Sequence, residues 1–147
     1  RSFVNAPHRL ELVATLNGVA YVNDSKATNV DSVFYALGSF QQPIILIMGG
    51  VDKGNDYDQI KDLVHEKVKG IIALGKDNTK LEAYFGEMVQ EFYDTQALND
   101  AVQKARCWAQ PGDVVLLSPA CASFDLFKSY IDRGDQFKNE VMNLAKN

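Results

Sequence analysis

Four turns rich in charged, hydroxyl and glycine residues carry most of the chemistry available to this chain. They read Asp24-Ser25-Lys26-Ala27-Thr28-Asn29, Gly49-Gly50-Val51-Asp52-Lys53-Gly54, Gly75-Lys76-Asp77-Asn78 and Ser118-Pro119-Ala120-Cys121-Ala122-Ser123. Each follows a short apolar run. If those runs are parallel strands, the turns sit at the carboxyl ends of the sheet, where α/β folds bind ligands. Lys26, Lys53 and Lys76 then concentrate positive charge at one end of an acidic protein, and an anionic ligand is implied. An ion pair at 4 Å in bulk water is worth only about 1 kcal/mol, so affinity requires partial burial and several hydrogen bonds. Any one of these lysines taken alone reads better as a solvated loop residue.

Several chemistries are excluded by spacing. Gly49 to Gly54 has the glycines of a phosphate loop, but Asn55 follows where a Walker A loop needs Lys and then Ser or Thr. No GxGxxG with an acidic residue about 20 positions later is present either. The glycine-rich turn also reads as a tight strand-to-loop connection, and Thr28 or Asn29 as a helix cap. No His or Asp stands at a diagnostic offset from Ser118 or Ser123, which argues against a nucleophilic serine. His8 and His65 lack HxxxH spacing, and Cys107 and Cys121 lack a CxxC pattern, so a metal site and a disulfide framework are unsupported. Both cysteines read as reduced packing residues.

The elements that must hold these turns are legible from periodicity. Leu10 to Leu16 alternates, Asn17-Gly18 is a two-residue hairpin signal, and Val19 to Val22 resumes the β pattern. Ile44–Met48, Ile71–Leu74 and Val114–Leu117 are continuous apolar runs of the kind buried on both faces of a parallel sheet, with a further strand around Val89–Tyr93. Helical spacing appears in Val33, Phe34 and Leu37, and in Tyr57, Ile60, Leu63, Val64 and Val68. It appears again in Leu98, Ala101, Val102, Ala105, Trp108 and Ala109, and in Phe137, Val141 and Leu144 after a break at Asp132-Arg133-Gly134. The expected fold is α/β: a Rossmann-like, doubly wound, mostly parallel sheet with helices on both faces and an N-terminal hairpin supplying an antiparallel edge strand.

Length and composition agree with one domain over residues 1–147, since 46% apolar residues in 147 support one substantial core. A net charge of -4 argues against a nucleic-acid surface, which needs clustered Lys and Arg. No apolar run approaches the roughly 20 residues that span a bilayer. A cytoplasmic, monomeric protein with a small-molecule ligand is the expectation.

Taken in order, Pro7-His8-Arg9-Leu10-Glu11, Asn23 to Asn29, Gly49 to Gly54, Leu117 to Asp125 and Arg133-Gly134 resemble the C-terminal domain of the Mur ligase family, in its D-glutamate-adding form. The resemblance covers almost the whole chain. It implies a bacterial ATP-dependent ligase that activates the carboxylate of UDP-N-acetylmuramoyl-L-alanine as an acyl phosphate and joins it to D-glutamate for peptidoglycan synthesis. It also implies that ATP and Mg2+ are held mainly by a central domain, and the UDP-sugar by an N-terminal one. Neither is present here, so the isolated domain is expected to be inactive.

By the same resemblance, Thr28, Lys53, Ser123, Phe124 and Tyr130 match positions that receive D-glutamate, with Phe124 contributing through its backbone. His8, Arg9, Asp24 and Lys26 match positions facing the ATP side of the interdomain cleft. Tyr130 departs from the pattern, standing where many relatives have Phe. The competing reading is a stand-alone Rossmann-like module that binds an anionic metabolite with the same lysine-lined strand ends.

Overall fold

The computed structural model describes residues 6–146. Glu11–Leu16 (β1) and Val19–Asn23 (β2) pair antiparallel around Asn17 and Gly18, whose φ values of 53° and 79° suit a tight hairpin turn. Ile44–Met48 (β3), Val68–Leu74 (β4), Glu91–Thr95 (β5) and Val114–Leu117 (β6) complete a sheet of order β1-β2-β6-β3-β4-β5, parallel everywhere except at the hairpin.

Helices cover both faces. Val30–Gly38 (α1), Lys61–Lys67 (α2) and Thr79–Phe85 (α3) pack on one, with a 3-10 turn at Tyr57–Ile60 leading into α2. Leu98–Trp108 (α4) and Tyr130–Ala145 (α5) pack on the other. Strand β3 shows why its sequence is apolar throughout: Ile44, Leu46 and Met48 point into one core, Ile45 and Ile47 into the other. Each such side chain contributes about 1.5 to 3 kcal/mol relative to exposure. No helix of the described residues is long and apolar enough to cross a membrane.

The elements depart from their expected bounds in several places. Val68 opens β4 instead of closing a helical stripe, because the chain turns extended there and pairs with Ile44 of β3. Strand β5 begins at Glu91, two residues later than expected, in register with Gly70 of β4. Helix α3 lies outside the expected elements; it is one short amphipathic stretch anchored by buried Leu81 and Phe85. Phe34 is 47% exposed, since α1 buries Val30, Val33, Ala36 and Leu37 instead. Cys121 is buried, but Cys107 is exposed on α4 and is not a packing residue.

The largest departure is at α5. The Ser129 hydroxyl caps it by accepting from Asp132 N at 3.0 Å, so the helix runs through Asp132-Arg133-Gly134 without a break.

Candidate functional site

The chain leaving β3 passes to one face of the sheet and the chain leaving β6 to the other, which opens a crevice between adjacent strand ends. The two loops are laced together at its base. Gly49 N donates to Pro119 O at 3.0 Å, Val51 N to Ala122 O at 2.8 Å, and Ala122 N to Val51 O at 3.2 Å. Gly50 has φ 138°, and a Cβ there would lie 2.2 Å from Ala122 O. Only glycine permits this approach.

Beyond the lacing, Asp52 shapes the tip that carries Lys53. Its Oδ1 accepts from Gly54 N at 2.9 Å and Asn55 N at 2.8 Å, while Oδ2 accepts from Tyr57 OH at 2.8 Å and lies 3.1 Å from Lys80 Nζ. Burial pushes the Asp52 carboxyl up, but these donors outweigh it and hold the pKa below the ordinary aspartate value. Asn55 Nδ2 donates to Ala120 O at 2.9 Å, fastening the tip to the β6 loop.

The loop after β2 joins from the other side. Ala120 N donates to Ala27 O at 2.8 Å, and the Ser118 hydroxyl donates to Asp24 Oδ2 at 2.8 Å. Together the three loops and the start of α5 enclose a cavity of about 340 Å³ lined by Thr28, Val51, Lys53, Asn55, Ala120, Ala122, Ser123, Phe124 and Tyr130. All five residues matched to D-glutamate positions border it. Ser123 is only 2% exposed, and among the described residues its hydroxyl, the Thr28 hydroxyl and the Lys53 ammonium have no side-chain hydrogen bond or ion pair. Three donors therefore face one space uncommitted. Asn55 and the backbone of Ala120 and Ala122 join this lining without a sequence signal, because an asparagine in a polar turn carries no mark of where it points.

A second, smaller cavity of about 200 Å³ lies beside the first, lined by Arg9, Leu10, Asp24, Lys26, Ala27, Asp31, Ser32 and Tyr35. Three of the four ATP-side residues border it. Asp24 is buried, and desolvation raises its pKa to about 6; hydrogen bonds from Ser118 and Leu10 and the charge of Arg9 offset part of that rise. His8 does not line it. Its ring is buried against α5 where Gly134 leaves room, with Nδ1 2.9 Å from Asn23 Nδ2 and Nε2 3.6 Å from Asp135 Oδ1. Asn23 Nδ2 also donates to Glu11 Oε1 at 3.1 Å, which bridges the ring to β1.

Of the three lysines expected at one rim, Lys53 borders the larger cavity and Lys26 the smaller, whereas Lys76 borders neither. Its backbone N–H is tied to Asp125 Oδ2 at 2.9 Å. Among the described residues, no group of three or more His, Cys, Asp or Glu side chains is arranged to hold a metal ion.

Comparison with known proteins places this geometry in a family. Residues 8–121 match the family model described as Mur ligase, glutamate ligase domain. The UDP-N-acetylmuramoylalanine--D-glutamate ligase of Cytophaga hutchinsonii is 60% identical over 145 residues, covering 99% of this chain and 32% of the relative. The enzyme of the same name from Porphyromonas gingivalis is 56% identical over 144 residues, covering 98% and 32%. The chain thus spans about a third of the length of the curated relatives it matches. Among solved structures, the UDP-N-acetylmuramate-alanine ligase of Thermotoga maritima superposes with TM-score 0.62 at 11% identity, covering 97% of this chain and 31% of that one. The bifunctional folylpolyglutamate synthase/dihydrofolate synthase of Yersinia pestis gives 0.61 at 16%, covering 97% and 32%. These distant likenesses establish a shared fold, and the family match over most of its length shows that the chain belongs to the Mur ligase family, as its glutamate ligase domain.

Proposed function

We propose that this chain is the amino-acid-binding domain of an ATP-dependent ligase that joins D-glutamate to UDP-N-acetylmuramoyl-L-alanine, the reaction named for its close relatives. One observation carries the reading: an ammonium and two free hydroxyls, contributed by three loops far apart in sequence, border a single cavity of about 340 Å³. That donor set suits a small dicarboxylate. Lys53 takes one carboxylate as a charge-assisted partner, the Thr28 and Ser123 hydroxyls donate to the carboxylate oxygens, and the Tyr130 ring walls the methylenes. Phe124, 68% exposed, contributes through its backbone.

ATP, held with Mg2+ elsewhere in the complete protein, would supply the phosphoryl group that activates the muramoyl-linked carboxylate as an acyl phosphate, with ADP as the leaving group. The amine of D-glutamate then attacks the acyl carbon, phosphate leaves, and the amine loses a proton as the amide forms. The contribution of this domain is to hold that amine in place, converting an encounter in solution into a step within one complex.

The smaller cavity fits one edge of a nucleotide rather than the whole molecule. Arg9 and Lys26 offer positive charge to phosphate oxygens, and the Asp24 carboxyl offers an acceptor to a sugar hydroxyl. His8 acts on that side as a support, anchoring the segment that presents Arg9 against α5.

The test is D-glutamate-dependent phosphate release by the complete protein and its Lys53→Ala variant. Loss of one charge-assisted bond raises the KM for D-glutamate by about 10- to 150-fold. An unchanged KM overturns the assignment of Lys53, and a wild-type protein with no such phosphate release favours an anion-binding module instead.

A further inference from the structure

Arg133 is 2% exposed, yet among the described residues no carboxylate lies within ion-pair distance of it. Its guanidinium is spent on the loops. Nε donates to Ser25 Oγ at 2.9 Å, Nη2 to Ser25 O at 2.8 Å, and Nη1 to Cys121 O at 3.1 Å. The Ser25 hydroxyl passes the contact on by donating to Tyr130 O at 2.7 Å. One side chain therefore ties the loop after β2, the loop after β6 and the first turn of α5 to each other. Those three segments supply Thr28, Ala120, Ala122, Ser123, Phe124 and Tyr130 to the larger cavity.

An apolar side chain would fill the same volume at lower desolvation cost, because a buried charge is expensive unless a counter-charge faces it. Burial pushes the guanidinium down to about 10, so it remains a cation at neutral pH. What arginine adds is a rigid planar fork that meets two carbonyls and a hydroxyl at fixed angles, which a lysine ammonium on a flexible stem does not reproduce. With its nitrogens committed to protein atoms and the residue sealed from solvent, Arg133 acts through the groups it holds.

We propose that Arg133 is a positioning residue that clamps the loops after β2 and β6 to α5, so that Thr28, Ser123 and Tyr130 converge on the amino acid. The proposal rests on the D-glutamate reading of the larger cavity. It goes beyond that reading by placing the assembly of the pocket on a residue that never touches the ligand.

The experiment compares Arg133→Met and Arg133→Lys with the wild type in the complete protein, reading KM for D-glutamate, KM for ATP, kcat and backbone amide hydrogen exchange. For Arg133→Met, KM for D-glutamate rises about 30-fold, and KM for ATP also rises, by less, because the loosened loop after β2 carries Asp24 and Lys26 of the smaller cavity. Amides of residues 24–28 and 120–124 lose protection, while those of β3 and β4 keep it. Arg133→Lys restores part of the lost affinity. A lowered melting temperature with unchanged KM for D-glutamate and unchanged loop exchange assigns Arg133 to packing alone and overturns the clamp.

Should Arg133→Met fail to fold, Arg133→Lys decides: a raised KM with protected β3 and β4 supports the clamp, and wild-type values overturn it. Should the wild type show no D-glutamate-dependent turnover, the proposed function fails, and loop exchange in the variants judges the clamp by itself.

Discussion

The Lys26 ammonium lies 4.8 Å from the centroid of the Tyr130 ring and 3.3 Å from its hydroxyl. Lys26 lines the smaller cavity and Tyr130 the larger, so this pair stands on the partition between them. The contact has two separable parts. Replacing Tyr130 by Phe keeps the ring under the cation and removes only the solvent-exposed hydroxyl contact, and it changes the KM for D-glutamate by less than about 3-fold. Tyr130→Ala removes the wall and the cation–π contact, itself worth about 0.5 to 1 kcal/mol at an exposed site, and raises that KM by about 10-fold. Steady-state kinetics of the two variants check the split, and wild-type behaviour of Tyr130→Ala refutes it.

The residues around the larger cavity should rank by the charge of the group removed. Lys53→Ala is the most damaging. Ser123→Ala and Thr28→Val each remove one neutral donor to a carboxylate and weaken D-glutamate by about 10-fold, the low end for a bond to a charged group. Phe124→Leu leaves the affinity near the wild-type value, because its role is assigned to the backbone. Isothermal titration or chemical-shift mapping on the complete protein reads the order, and a Phe124→Leu effect larger than that of Lys53→Ala contradicts it.

Asp24 gives the fold a pH dependence of definite sign. Its carboxyl is raised to about 6 in the native state, above the ordinary value near 3.9 of an unfolded chain. Between those values the native state binds more protons than the unfolded one, so stability falls as pH rises from about 4 to about 6 and levels off above. The change is at most about 3 kcal/mol. Asp24→Asn keeps an acceptor for Leu10 N and a partner for Ser118, and it abolishes this component. Urea unfolding at several pH values, taken as wild type minus variant, isolates it; a difference independent of pH between 4 and 7 rejects the assignment.

Gly134 should resist the helix-favouring change to alanine. A Cβ there would sit 2.1 Å from His8 Nδ1, 2.7 Å from its Cε1 and 3.0 Å from Asn23 Nδ2. Overpacking of this kind costs about 1 to 3 kcal/mol, more than the roughly 1 kcal/mol of helix propensity gained. Removing the ring first opens the space, so Gly134→Ala is better tolerated in a His8→Ala background. A double-mutant cycle in thermal or urea unfolding measures the coupling, and strict additivity would show that the ring is not what glycine accommodates.

Much of this architecture is local in origin. Continuous apolar runs marked β3 and β6 because strands covered on both faces have no polar side, and Asn17-Gly18 marked the hairpin because both positions need positive φ. The end of α2 at Val68 is ambiguous in the sequence, since a β-branched residue after a helix suits both the helical stripe and a strand, and pairing with β3 decides it. Helix α3 leaves no periodic signal, because two buried side chains in seven residues are too few to show a period.

The residues of the site follow the same division. Sequence alone determined the chemical types at the strand ends, and with them the expectation of an anionic ligand, because each turn's composition is a local property. Which turns meet was decided only by tertiary structure: β6, formed late in the chain, inserts between β2 and β3 and brings Ser123 between Thr28 and Lys53, while Lys76 at the end of β4 is left outside. The same packing sealed His8 under α5 and buried Arg133 beneath the loops. Periodicity reports which side of an element faces a core, but strand order depends on the summed burial and pairing of segments remote in sequence, and no local pattern encodes that sum.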